Sequence, residues 1–417
     1  MAVFCLCLRW SVRSGLREGA HRTFDGGAHV KIRVDGEPVQ EQSVGERHEG
    51  PGRRHGLGDA DGDHDPLSPP LELAALPPQR LAKLRVAGEF EEEGVACAGA
   101  RGERPGLQFG HGAQALDQPE PRITRSVDAS AWSPRLPEAS GFHHLVVETP
   151  GLHTHVAAIG EGEPVVLLHG FPQHWWQWQA IAPVIAAGGY RVICPDLRGA
   201  GWTVADDPRI ERETWLRDLL ALFDVLHIER AHLVSHDMGV ITAMQLTYDH
   251  PERVRTAVQL SVPPGFMTFS PGLLPGFRHL PPFIWHRPGA SLRGVFSEAY
   301  VARPISEAAV EAHLAPMRRP DIDGAVRPLT RGMVLPEAMR MMRGVYRRRR
   351  LTVPTLVVFG RRDRPWTEEL LGRVCRNPKR YADRVEFAYV DDAAHFITDD
   401  APAAVADLAL DWFERAA

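Results

Sequence analysis

The sequence predicts an α/β protein: a mostly parallel β-sheet covered by helices on both faces and interrupted by a helical insertion. Three observations predict it. Short continuous apolar runs such as "VVLL" and "LVVF" alternate with helical-period segments through the last two thirds of the 417 residues. Several of these runs end in loops that carry carboxylates or histidine. A stretch rich in Pro, Arg and Met, 264–350, separates two such blocks, 138–263 and 351–417. It reads as a cap inserted into a core.

The elements follow in order. "FHHLVVETPGLHTHVAAIGEG" alternates like the two strands of a hairpin. "EPVVLLHGF" and "YRVICPDLRGAG" are continuous apolar runs, as expected of strands buried on both faces. "TWLRDLLALFDVLHI" has helical spacing. "RAHLVSHD", "MGVITAMQLTYDHP" and "VRTAVQLSVPP" read as strand, helix and strand. After the insertion, "LTVPTLVVFGRRD" and "RVEFAYVDDAAH" return to the strand pattern. "APAAVADLALDWFERA" closes the chain as an amphipathic helix.

Residues 1–137 differ in texture. "GERHEGPGRRHGLGDADGDHDPLSPP" is rich in breakers and charge, and buries too little apolar surface to offset its chain entropy. The region is read as a low-complexity, disordered extension. Its composition suggests upstream sequence translated ahead of the true start, with Val127 as one candidate start. Asp59, Asp61, Asp63 and Asp65 begin like a calcium loop, but the sixth position is His64 rather than Gly and the twelfth is Pro70 rather than Glu. They are read as a solvated acidic loop.

Composition excludes several classes. A net charge of −5 does not predict nucleic-acid binding. No apolar run approaches the roughly 20 residues of a membrane span. "MAVFCLCLRW" has no preceding positive charge and no following cleavage site, so it is not read as a signal peptide. Cys5, Cys7, Cys97, Cys194 and Cys375 form no framework, which fits a reducing, cytoplasmic setting. No metal or cofactor is expected: zinc-type clustering and a Gly-rich phosphate loop are both missing.

The chemistry concentrates at strand ends, where ligands meet open α/β sheets. "SHDMG", 235–239, has the small–x–nucleophile–x–small spacing of a sharp strand-to-helix turn, with Asp237 at its tip. Asp363 follows "TLVVFGRR" and His395 follows "VEFAYVDDAA". Each residue has an alternative reading. Asp237 could be a helix cap, Asp363 a turn residue and His395 a satisfied buried histidine. Asp391 and Asp392 compete for the role of orienting His395. Ser235 occupies the small-residue position and His169 is read as bonding within its own loop. His236 is expected to point elsewhere on the turn.

The set "HGFP" 169–172, "DLRGAG" 196–201, "SHDMG", "GRRD" 360–363 and "AAHF" 393–396 resembles the α/β-hydrolase family, and within it the epoxide hydrolases. The resemblance covers about 141–417. It implies the α/β-hydrolase fold, with Asp237 as nucleophile, His395 as general base and Asp363 as the residue orienting it. It implies an oxyanion hole from the backbone N–H groups of Phe171 and Met238, and a cis Phe171–Pro172 peptide. A carboxylate suits displacement at a saturated, polarised carbon, because attack on an ester would give an anhydride. The expected reaction opens an epoxide to a vicinal diol through an alkyl ester on Asp237, which His395-activated water hydrolyses.

An epoxide leaves as an alkoxide and needs a proton donor, a role that tyrosine can fill. The contexts of Tyr300 and Tyr346 resemble the two lid tyrosines of epoxide hydrolases. Trp175 and Trp178, in the loop after "HGFP", are candidates to line a pocket for a small apolar epoxide. The alternatives are a haloalkane or haloacid dehalogenase with the same Asp-His-Asp triad, and a non-catalytic binding protein on the same scaffold. Met238 and Phe171 stand where dehalogenases of this family usually carry Trp or Arg, and Asn.

Overall fold

A computed structural model describes residues 30–33, 122–126, 132–277 and 280–416. The disorder reading of most of 1–137, the acidic tract Asp59–Asp65 and Val127 lie outside the described residues. Two short segments within 1–137 are described as strands. β1 (Val30–Arg33) pairs antiparallel with the strand Val385–Val390, and β2 (Arg122–Ser126) pairs antiparallel with β3 (His143–Thr149). The coupling partners lie far along the chain or across a break in composition, so local patterning did not mark them.

β3 and β4 (Leu152–Ile159) form the expected hairpin. β5 (Glu163–Leu168), α1 (Ala182–Ala187), β6 (Tyr190–Pro195), the two-residue β7 (Val204–Ala205) and α2 (Thr214–Val225) follow. Then come β8 (Ala231–His236), α3 (Met238–Asp249) and β9 (Val254–Leu260). The cap carries α4 (Leu280–Ile284), α5 (Glu307–Leu314), α6 (Pro320–Pro328) and α7 (Leu335–Met342), with a π-helical turn at Leu329–Val334 between the last two. β10 (Thr355–Gly360), α8 (Glu368–Val374), β11 (Val385–Val390), α9 (Ile397–Asp400) and α10 (Pro402–Ala416) complete the core.

The sheet order is β1-β11-β10-β9-β8-β5-β6-β4-β3-β2, with β7 beside β4. The strands from β11 to β6 run parallel. Every residue of β8 and β10 is buried, which is why neither strand shows the apolar–polar alternation of a half-exposed one. α2 packs Trp215, Leu216, Leu219, Leu222 and Phe223 against one face of the sheet, together with α3 and the cap. α10 packs Val405, Ala409, Trp412 and Phe413 against the other face, together with α1.

Register positions the site. Leu168 stands opposite Ser235 and His236 opposite Leu260, so the loops after β5, β8 and β9 emerge side by side. Gly360 stands opposite Val390, which brings the loops carrying Asp363 and His395 to the same edge.

Candidate active site

Asp237 is the residue between β8 and α3, with φ 47° and ψ −120°. A positive φ is uncommon for a non-glycine residue, and here it forces a sharp turn. The turn is tight enough to fix its neighbours. A Cβ at Gly239 would lie 2.5 Å from the Leu168 carbonyl oxygen, and one at Gly170 would lie 2.7 Å from Asp237 Cβ. The Asp237 side chain makes no capping bond to α3. The cap reading therefore fails. Its Oδ2 instead accepts from the Phe171 N–H at 3.1 Å, and its Oδ1 lies 3.6 Å from His395 Nε2. Met238, the first residue of α3, presents an amide at a helix start, where amides have no intrahelical acceptor. Phe171–Pro172 is cis. Ser235 is fully buried and donates to the Val258 carbonyl at 3.3 Å.

His395 Nδ1 lies 3.4 Å from Asp363 Oδ2. Asp363 caps no helix through its side chain and is almost entirely buried. The competing carboxylates are engaged elsewhere: Asp391 pairs with Arg361, and Asp392 with Arg362 at 2.7 Å. Burial disfavours an imidazolium at His395, but the bonds and charges of Asp237 and Asp363 outweigh it and push its pKa up to about 10. For Asp237, burial acts upward, yet the His395 contact and the Phe171 amide hold it well below the usual carboxylate range. The resting pair is thus a carboxylate facing an imidazolium.

Residues not singled out for the site hold the backbone of His395. Its carbonyl oxygen accepts from His236 Nε2 at 2.8 Å and from Ser261 Oγ at 2.8 Å. Burial lowers the His236 pKa to about 4, so its ring is neutral. His236 does turn away from the nucleophile, as its place on the turn implies, and ends beneath the base. His169 bonds the Gly170 carbonyl at 2.7 Å and accepts from the Leu197 amide at 2.9 Å, a loop-shaping role. No local signal marks Ser261, because its contact is made 134 residues along the chain.

The structure brings Tyr300 to this centre, with its ring centroid 6.3 Å from that of His395. Tyr346 is not brought there. Its buried hydroxyl donates to Glu337, whose Oε2 also accepts from Arg212 at 2.9 Å and Gln245 at 2.9 Å. Glu337, fully buried in the cap, needs that donor, so the pairing of two lid tyrosines over one substrate is corrected to Tyr300 alone. Trp175 and Trp178 are corrected as well. Both are fully buried on the α1 and α10 face of the sheet among Val165, Leu167 and Ile181, where the large apolar rings fill the core rather than line a pocket. Phe283 of the cap stands over Phe171 instead, with ring centroids 6.1 Å apart.

The alpha/beta hydrolase family profile matches residues 165–408, more than half of the chain. The chain belongs to the alpha/beta hydrolase family. Among relatives of this chain, epoxide hydrolase 3 of Siraitia grosvenorii is 39% identical over 143 residues, 33% of this chain and 44% of that protein. A fluoroacetate dehalogenase of a Burkholderia species is 33% identical over 134 residues, 31% of this chain and 44% of that protein. The matched stretches thus span less than half the length of these curated relatives. A solved Pseudomonas aeruginosa structure, provisionally assigned as an epoxide hydrolase, superimposes with a TM-score of 0.55 at 26% identity, over 67% of this chain and 97% of that one. No helix among the described residues is long and apolar enough to cross a membrane.

Proposed function

We propose that this hydrolase opens small apolar epoxides to vicinal diols. The observation that carries the reading is the orientation of Asp237: one carboxylate oxygen is held by the Phe171 amide and the other faces His395. Oδ1 attacks a ring carbon and that carbon's bond to the epoxide oxygen breaks. The Tyr300 hydroxyl donates to the departing alkoxide. Oδ2 becomes the ester carbonyl oxygen. Water then attacks the ester carbonyl carbon as His395 Nε2 takes its proton. The Phe171 and Met238 amides hold the tetrahedral oxyanion until the diol leaves and the carboxylate re-forms. The similarity to epoxide hydrolase 3 of Siraitia grosvenorii supports the substrate class.

His395→Gln tests the sequence of steps. On mixing with styrene oxide it should accumulate an adduct of enzyme plus one epoxide, mapped by mass spectrometry to Asp237, with no diol released. An adduct on Ser235, or full turnover by the variant, overturns the reading. Similarity to a fluoroacetate dehalogenase favours a second reading, displacement of halide at the same Asp237. Met238, rather than Arg, follows the nucleophile, leaving no cation there for a substrate carboxylate. Fluoride release from fluoroacetate outpacing diol formation from styrene oxide would put that reading first.

A further inference from the structure

The five residues after His395, Phe396–Asp400, turn back to the cap. The Phe396 N–H donates to the Tyr300 carbonyl at 3.1 Å. Asp400, at the end of α9, accepts from three amides that belong to two separate segments. On the cap side, its Oδ2 takes the Ala302 N–H at 2.9 Å and its Oδ1 the Arg303 N–H at 3.2 Å. On the core side, its Oδ2 takes the Ala394 N–H at 2.9 Å. Ala394 immediately precedes the base, and Ala302 follows the cap tyrosine by two residues. The contacts on the cap side cross 97 and 98 residues of sequence, so they are tertiary and not part of a local turn.

We infer that Asp400 is a positioning residue that sets the Tyr300 hydroxyl against His395 and Asp237. It touches neither substrate nor reacting atoms in the proposed reaction; it acts through the two backbone segments it joins. A carboxylate suits the task because three N–H groups converge on it and it brings no donor of its own. An asparagine would offer one oxygen and turn an N–H₂ group towards the remaining donors. The surrounding contacts reinforce the same junction. Asp399 bonds Gln173 Nε2 at 2.7 Å and His313 Nε2 of α5 at 3.1 Å. They hold the cap helix and the loop after β5, whereas Asp400 and the Phe396–Tyr300 backbone bond join the segments that carry Tyr300 and His395.

The inference rests on the epoxide reading, and its test separates the two. In the full-length His395→Gln protein, alkylation of Asp237 by saturating styrene oxide is followed by rapid quench and mass spectrometry. Tyr300→Phe should slow it about a hundredfold, the loss of one strong donor. Asp400→Ala should slow it at least about tenfold, and adding it to Tyr300→Phe should cost no more than about threefold, because both act through one hydroxyl. Effects that multiply in the double variant would overturn the inference. Hydrogen exchange gives a second readout: Asp400→Ala should quicken exchange in peptides spanning both 300–304 and 393–397, and an unchanged rate in either removes the bridge. Asp400→Asn repeats both measurements should the alanine variant fail to fold. If the protein forms no adduct at Asp237, the epoxide reading fails, and the exchange result still decides whether Asp400 joins the two segments.

Discussion

Replacing each cap tyrosine with phenylalanine should damage a different property. The Tyr346 hydroxyl donates to Glu337, which is fully buried and keeps Arg212 and Gln245 on its other oxygen. A hydrogen bond to a charged group contributes about 1.5–3 kcal/mol, and the partners remaining on Oε2 place the loss in Tyr346→Phe near the middle of that range, about 2 kcal/mol. Phenylalanine keeps the ring against Tyr248, 4.6 Å away between centroids, so no cavity adds to the cost. Alkylation of Asp237 should change by less than about twofold, within the scatter expected of a site remote from the chemistry. Tyr300 is partly exposed beside His395, and Tyr300→Phe should cost under about 0.5 kcal/mol of stability. It should nonetheless slow alkylation about a hundredfold, some 3 kcal/mol of transition-state stabilisation. Urea denaturation at constant m-value reports the first quantity, and single-turnover mass spectrometry with styrene oxide the second. Tyr346→Phe slowing alkylation tenfold with an unchanged denaturation midpoint would refute the assignment of its hydroxyl to Glu337 alone.

Three further outcomes follow from the same geometry. The His395 pKa stands near 10 in the folded chain against about 6.5 unfolded, so its pairing stabilises fully below pH 6.5 and is lost as pH rises to 10; Asp237→Asn should flatten that decline in thermal melts, and an unflattened profile would locate the effect elsewhere. Gly239→Ala places a Cβ 2.5 Å from the Leu168 oxygen and 2.6 Å from the His169 oxygen; both are backbone, so a loss of about 1–3 kcal/mol is expected in denaturant titrations. Trp178→Ala should remove about 3–5 kcal/mol of stability and leave KM for styrene oxide unchanged in the molecules that stay folded; a raised KM at native stability would return this ring to the pocket.

The parts of this molecule that were legible in the sequence are those whose cause is local. A continuous apolar run announces a strand buried on both faces, as in the VVLL of β5 and the LVVF of β10. The small residues around Asp237 announce the turn, because the Leu168 oxygen leaves no room for a side chain at position 239. Order along the chain then placed Asp363 and His395 at neighbouring strand ends. What the sequence did not disclose depends on contacts between distant segments. Aromatic residues near a motif look like pocket lining, yet Trp175 and Trp178 follow a loop that turns their rings into the core. Tyr346 looks like a lid donor until Glu337, nine residues earlier, captures its hydroxyl. Ser261 bonds the base's own carbonyl across 134 residues, and Asp400 bonds the amides of Ala394 and Ala302 across 6 and 98, through backbone atoms that carry no sequence signature.

The electrostatics of the triad bear on the order of the two half-reactions. In the resting site the imidazole of His395 stands between two carboxylates, at 3.6 Å and 3.4 Å, and that environment keeps it protonated. A protonated imidazole cannot serve as a base, and in the proposed reaction it need not, because an ionised Asp237 attacks unaided in that scheme. Once Asp237 becomes an ester its charge is gone. One of the two causes that raised His395 disappears, while burial, which opposes the imidazolium, remains. The pKa of the ring must then fall, and the proton it sheds matches the proton that the opened alkoxide takes up. The base is therefore released by the step that creates its task. In the same scheme Asp363, almost entirely buried and 3.4 Å from Nδ1, favours the tautomer with Nδ1 protonated, which assigns the proton of water to Nε2. A serine at position 237 would carry no charge to lose, so it would give His395 no such change between the two steps.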